Sequence, residues 1–245
     1  MLSNQLFVQL GALGLHGMAQ ALNTQLDQAK FAQLSFENRL ALLIEAEQTE
    51  RFNKKISRLL KTAKLRQSNA CLEDVDYRHE RGLDPALLNT LATLEWVSRQ
   101  QSLILTGATG TGKTWLACAF GNQACRNGHS VFFTTASQLY EQLICAQVDR
   151  SIGKLRRQLI KTRLLIIDDL GIGGVDVQVG QMLLDIIDQQ SQNGSLLITS
   201  QFPVGKWYDF FNDPTIADAM LDRIVHRAHH IEIKGDSMRK LKKVS

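Results

Sequence analysis

Long apolar runs, prolines and paired cysteines are all scarce in this chain, and each scarcity removes a class of protein. No stretch of about 18 consecutive apolar residues occurs, so no transmembrane helix is expected. Three prolines in 245 residues exclude a collagen-like, mucin-like or wholly disordered chain. Cys71, Cys118, Cys125 and Cys145 form no CxxC pair, which indicates neither a zinc ribbon nor a disulfide framework. Charge is absent before Asp27, as in a secretory leader, but a leader needs a basic start and an unbroken apolar run. Here Gln5, Gln9, His16, Gln20 and Asn23 interrupt it, and the apolar residues recur at helical spacing instead. An amphipathic helical start and a cytoplasmic location are the expectation.

A net charge of +4 is too small to name a partner, but its distribution is uneven. Residues 1–50 hold two bases, Lys30 and Arg39, against five acids. Residues 51–66 then hold Arg51, Lys54, Lys55, Arg58, Lys61, Lys64 and Arg66 with no acid. Such a run on one helix points to a polyanion, and Arg51, Lys54, Lys55, Arg58, Lys61 and Lys64 are the candidate contacts to a DNA backbone. Ser35 can cap this helix, with Glu37 in its first turn. The stripe Phe52, Ile56, Leu59, Leu60 and Ala63 gives it one apolar side. Residues 67–84 show no period and read as a linker. Asp84 before Pro85 then starts a helix expected to reach about Val97. The expected organisation is a helical domain over 1–68, a linker over 69–84 and a nucleotide-binding domain over 85–245.

From Ser102 onward short apolar runs alternate with amphipathic segments: Leu103–Thr106, Val131–Thr134, Leu164–Asp168, Leu196–Ser200 and Ile231–Ile233. Strands alternating with helices imply a parallel sheet covered on both faces. The first run leads into GATGTGKT, which matches G-x-x-x-x-G-K-[ST] between a strand and a helix. Gly107, Ala108, Thr109, Gly110, Thr111, Gly112, Lys113, Thr114 and Trp115 are therefore the candidate nucleotide contacts. The glycines let successive amides curl around a β-phosphate at a helix N-terminus. Lys113 adds a point charge, and the Thr114 hydroxyl can ligate Mg²⁺. A second oxygen ligand is needed, and Asp168 supplies it at the carboxyl end of the apolar strand LLII. Asp169 is the candidate to orient the attacking water, and its short side chain suggests slow turnover. Gln201, with Ser200 as second choice, ends the next strand as a polar group for the γ-phosphate or the water. His226, His229 and His230 lack an acid or cysteine to complete a metal shell. Trp96, Trp115, Trp207 and the pair Phe132–Phe133 read as packing.

The P-loop, the LLIIDD strand, the segment ITSQFPVGKW and the block AMLDRIVHRAHHIEIKGDSMR together carry a resemblance. The chain resembles the AAA+ ATPases of the IstB type, helpers of the IstA-type transposases of insertion sequences and relatives of the DnaC-type helicase loaders. The resemblance extends over nearly the whole chain, and the last block is its discriminating part. The sequence departs from the pattern at Gln201, where asparagine is expected, and at Asp169, where many AAA+ proteins carry glutamate. The resemblance implies an α/β P-loop NTPase of the AAA+ class preceded by a small all-α domain. With only Lys234–Ser245 after the last strand, no C-terminal lid is expected. It also implies a homo-oligomer with sites between subunits, in which Arg223 matches the arginine finger and Arg227 is the reserve. Arg223 could instead pair with Asp218 or Asp222 on its own helix. Arg239 could partly replace the second sensor of a lid, and Lys234, Arg239, Lys240, Lys242 and Lys243 could touch DNA.

Three functions are compatible with these features. The first is an ATPase, slow and stimulated by assembly, that binds ATP and Mg²⁺, assembles on target duplex DNA and assists a transposase. The second is a helicase loader with the same ATPase core. The third, a small-molecule P-loop kinase, lacks an evident acceptor pocket.

Overall fold

The computed structural model describes residues 2–77, 81–172 and 174–238. Two compact units divide between Arg58 and Leu59. The first contains helices α1 (Leu2–Ala12) and α2 (His16–Asp27) and most of the long α3 (Phe36–Ala63). Ser35 Oγ accepts from the Asn38 amide at 3.3 Å, the expected cap. Gly17 lets α2 approach α3 closely, since a Cβ there would lie 2.6 Å from the Ala46 carbonyl oxygen. At this contact Glu47 is buried. Its carboxylate accepts from the amides of Gly17 at 2.8 Å and Met18 at 3.2 Å, satisfying orphan donors of the α2 N-terminus. Gln25 and Arg39 pair reciprocally nearby, at 2.9 and 3.1 Å.

The second unit is built on five parallel strands: β1 (Ser102–Gly107), β2 (Val131–Thr135), β3 (Leu164–Leu170), β4 (Ser195–Ser200) and β5 (Ala228–Ile233). Each coincides with an expected apolar run and extends it by one to three residues. Their order is β2-β3-β4-β1-β5, so β4 separates the P-loop strand from the strand that carries the two acids near its carboxyl end. Alternation along the strands divides the core. Leu103, Leu105, Leu164, Ile166 and Leu197 face one layer, with α4 (Pro85–Ala92), α5 (Glu95–Ser98) and α6 (Lys113–Arg126). Ile104, Leu165, Ile167, Leu196 and Ile198 face the other, with α7 (Ala136–Val148), α8 (Ile152–Ile160), α9 (Val177–Asn193) and α10 (Pro214–Val225). The fully apolar strands are those of a sheet covered on both sides. Gly121 lets α6 lie close to it, because a Cβ would sit 2.8 Å from a Leu65 methyl and 2.9 Å from one of Ile166.

Two local expectations differ from the structure. The helix from Pro85 stops at Ala92, and Leu94 takes φ +61 before α5 begins; the break buries Leu94 and Trp96 in the core. The stretch expected as a linker starts by packing: Ala70 and Val75 join the core, and Asn122 donates to the Ser68 carbonyl at 3.0 Å. Its buried residues have no period because they contact the sheet layer one at a time from irregular backbone. Trp96 and Trp207 are buried with their indole N–H groups on the carbonyls of Leu91 and Phe202, the packing role expected. His229 and His230 bond to Gln101 and Thr106, and no cluster of metal-ligating side chains is found among the described residues. No helix among them is long and apolar enough to cross a membrane. Arg239, Lys240, Lys242 and Lys243 lie outside the described residues.

Candidate nucleotide site

The carboxyl ends of β1, β4 and β3 lie side by side, with Thr106 in register with Ser200 and Ile167 with Ile198. From β1 the chain enters the loop Gly107–Gly112, where Gly107, Gly110 and Gly112 have φ of +146, +88 and +100. A side chain at Gly107 would place its Cβ 2.1 Å from the Ile233 carbonyl oxygen, so glycine is required there by both conformation and space. Gly112 forms the N-cap of α6, which begins at Lys113. This turn presents a helix N-terminus ringed by backbone amides, a ready anion site.

Lys113 is buried, and its ammonium donates to the carbonyls of Gly107 at 2.8 Å and Ala108 at 2.9 Å. Burial pushes its pKa below the ordinary lysine value, opposed by the charges of Asp169 and Asp168. The Thr114 hydroxyl lies 3.0 Å from both Asp168 carboxylate oxygens. Asp168 is fully buried. Desolvation raises its pKa above the ordinary carboxylate value, and the nearby Asp169 charge pushes the same way; hydrogen bonds from Thr199 and Thr114 and the Arg66 charge oppose them. A hydroxyl and one carboxylate converging at a strand end fit Mg²⁺, which takes few protein oxygens and completes its shell with phosphate and water.

Asp169 sits where the β3–β4 register shifts between Ile167 and Leu170, with φ +58. This bulge re-aims its side chain away from strict alternation. An aspartate in the left-handed region at a strand end is local strain of the kind that gathers at functional sites. The conformation is held by Thr199. Its hydroxyl accepts from the Asp169 amide at 2.9 Å and donates to Asp168 Oδ1 at 2.6 Å. Thr199 thus joins the two acids from the middle strand, a role that the sequence reading, which looked to Gln201 and Ser200 for a contact to the γ-phosphate or the water, did not assign. Ser200, the second choice there, is committed to the Leu170 carbonyl at 2.7 Å. Gln201 stands beside the loop and accepts from the Thr109 hydroxyl at 3.0 Å.

The remaining candidates make other contacts. Arg223, on α10, pairs with Asp188 of α9 at 2.5 Å and donates to the Ala219 carbonyl at 2.9 Å. The pairing considered from sequence, with Asp218 or Asp222, is replaced by a contact between helices. Arg227 is exposed just before β5. In the basic run, Arg51 is held by Glu47 at 2.6 Å and Lys54 by Glu50 at 3.1 Å. Each pair is one turn apart on α3, so the acid-free run is partly neutralised by acids preceding it. Arg51 also lowers the pKa of Glu47 through its hydrogen bond. Lys61 is in the last turn of α3 and Lys64 just follows it, with φ +53.

A family described as IstB-like ATP binding protein matches residues 8–245. The chain is 40% identical over 240 residues to the insertion-sequence ATP-binding protein y4pL of Sinorhizobium fredii, covering 98% of both chains. It is 43% identical over 203 residues to the ATP-binding protein of insertion sequence IS1162 from Pseudomonas fluorescens, covering 83% of this chain and 88% of that one. Among solved structures it is similar to DnaI, with a TM-score of 0.58 at 22% identity, covering 73% of this chain and 94% of that one. The DnaC helicase loader gives 0.53 at 18% identity, covering 68% and 97%. These structures share the AAA+ P-loop fold.

Proposed function

The chain belongs to the family of IstB-like ATP-binding proteins, and on that premise we propose that it is an ATPase that assembles on target duplex DNA and assists the transposase of an insertion sequence. The observation that carries the ATPase reading is the bridge at the strand ends, where Thr199 links Asp168 to the Asp169 amide while Thr114 faces Asp168. Relatives matching the chain over nearly its full length are insertion-sequence proteins, which favours transposition over helicase loading.

In this reading the amides of Gly110–Thr114 hold the β-phosphate. The Lys113 ammonium exchanges its two loop carbonyls for β- and γ-phosphate oxygens. Mg²⁺, held through Thr114 and Asp168, would neutralise charge on those same oxygens. Asp169, turned out of the strand by its bulge, accepts the proton of the attacking water. Gln201 stands where it can contact the γ-phosphate. Arg223 acts in the site of a neighbouring subunit, releasing Asp188 as its guanidinium takes up charge on the γ-phosphate. ATP thereby becomes a contact between subunits. The basic side of α3 and Lys64 hold the phosphate backbone of duplex DNA without regard to sequence.

Nucleotide titration and phosphate-release assays on two variants test this assignment. Lys113→Ala loses ATP binding. Arg223→Ala binds ATP but hydrolyses it about 10³-fold more slowly or worse, the scale of an arginine finger. Wild-type turnover in Arg223→Ala removes the finger, and wild-type affinity in Lys113→Ala removes the site.

A further inference from the structure

A second cation reaches the phosphate loop from the chain ahead of the sheet. Arg81 is only 8% exposed. Its Nη1 lies 3.5 Å from the Thr111 carbonyl oxygen and would be 3.3 Å from a Cβ on Gly112. Nη2 donates to the Asp76 carbonyl. Nε has no hydrogen-bond partner among the described residues, and no ion pair joins the guanidinium to a carboxylate of those residues. Two neutral carbonyls, one at the limit of hydrogen-bond length, compensate poorly for a desolvated positive charge. The group is therefore buried and charged with no anion beside it among the described residues, at the N-terminus of a 14-residue helix whose amides also want one.

We propose that Arg81 is a nucleotide ligand, its guanidinium taking a non-bridging oxygen of the phosphates nearest the nucleoside, the part that ADP and ATP share. This rests on the reading of Gly107–Thr114 as a nucleotide site. The position follows from the geometry of the acids. Thr114 faces Asp168 at 3.0 Å and so marks the metal and γ end, whereas Arg81 meets the loop at Thr111 and Gly112. The contact has a structural corollary. The Arg81 carbonyl accepts from the Lys234 amide at 2.8 Å, the Met238 amide donates to the Gly110 carbonyl at 2.9 Å, and Ser237 fills the space that a Cβ on Gly110 would need. A phosphate on Arg81 ties the segments before and after the sheet to the same loop.

The test uses the full chain carrying Arg81→Gln, Arg81→Lys or Lys113→Ala, with ADP and ATP titrated by calorimetry and melting followed with and without ADP. Arg81→Gln weakens ADP and ATP alike by about tenfold or more, the range of one charge-assisted hydrogen bond. It leaves the nucleotide-free melting temperature unchanged or higher, because a buried charge held only by neutral carbonyls among the described residues is gone, and it shrinks the rise caused by ADP. Arg81→Lys, a point charge without the planar fork, recovers part of the affinity. A purely structural arginine gives the reverse pattern, a lower nucleotide-free melting temperature with the ADP-induced rise intact, and that result overturns the proposal. So does a loss confined to ATP. Wild-type binding by Lys113→Ala is a different failure, that of the nucleotide site itself.

Discussion

Replacing Thr199 with valine keeps the shape of a fully buried side chain and removes only its hydroxyl. Two bonds go with it: the 2.6 Å donation to Asp168 and the 2.9 Å acceptance from the Asp169 amide. A hydrogen bond to a charged group contributes about 1.5–3 kcal/mol, and an orphaned buried donor costs about 1–3 kcal/mol. Asp168 can relieve part of this by taking a proton, so the net loss is about 2–4 kcal/mol. At roughly 2–4 °C per kcal/mol for a unit of this size, melting falls by about 4–16 °C. The pH dependence identifies the cause. The Thr199 bond lowers the Asp168 pKa against desolvation, so its removal raises that pKa further. The penalty is then largest where Asp168 is ionised in the wild type and shrinks as pH falls through the two folded values. Thermal melts of both proteins from pH 7.5 downward to the onset of acid unfolding measure it. Equal melting temperatures at pH 7.5, or a gap that nowhere narrows on acidification, refute the reasoning.

Asp168→Asn acts in the opposite direction on the nucleotide-free protein. Because its folded pKa is raised, the carboxyl favours folding when protonated, and that contribution is lost as pH rises through the folded value. The variant melts at or above the wild-type temperature at pH 7.5 and loses the extra rise given by Mg²⁺ with ATP; a large drop without nucleotide contradicts this. Gly107→Ala forces a Cβ to within 2.1 Å of the Ile233 carbonyl at φ +146, so β5 must shift. Urea unfolding records a loss of about 3 kcal/mol or more, and an unchanged midpoint shows that β5 yields freely.

How much of this was legible in the sequence depends on how local each feature is. The P-loop with the strand before it, and the acid pair with the apolar residues of β3, are each a short contiguous segment, and each residue type there has a chemical reason readable in place. Thr199 is different. Its role arises because β4 lies between β1 and β3, and sequence order does not disclose that placement. Reading outward from the strand end leads to Gln201, two residues past the hydroxyl that touches Asp168. Arg81 was hidden in a stretch without periodicity, where a single base gives no sign that it is buried. The Arg223–Asp188 pair joins α10 to α9 across 35 residues, so inspection of one helix finds only Asp218 and Asp222. Conversely, β1, β3 and β4 appear where continuous apolar runs stand between helical patterns, as a sheet covered on both faces requires, whereas the edge strand β5 is legible only from the alternation of buried Ile231 and Ile233 with exposed His230 and Glu232.

Sedimentation of the purified protein on duplex DNA, with ATP, with ADP and without nucleotide, tests the central claim most directly. Large assemblies that form on duplex with ATP, and that weaken with salt or on charge reversal at Lys54, Lys55 and Arg58, are the predicted result. A monomer that ignores duplex DNA whichever nucleotide is present contradicts it.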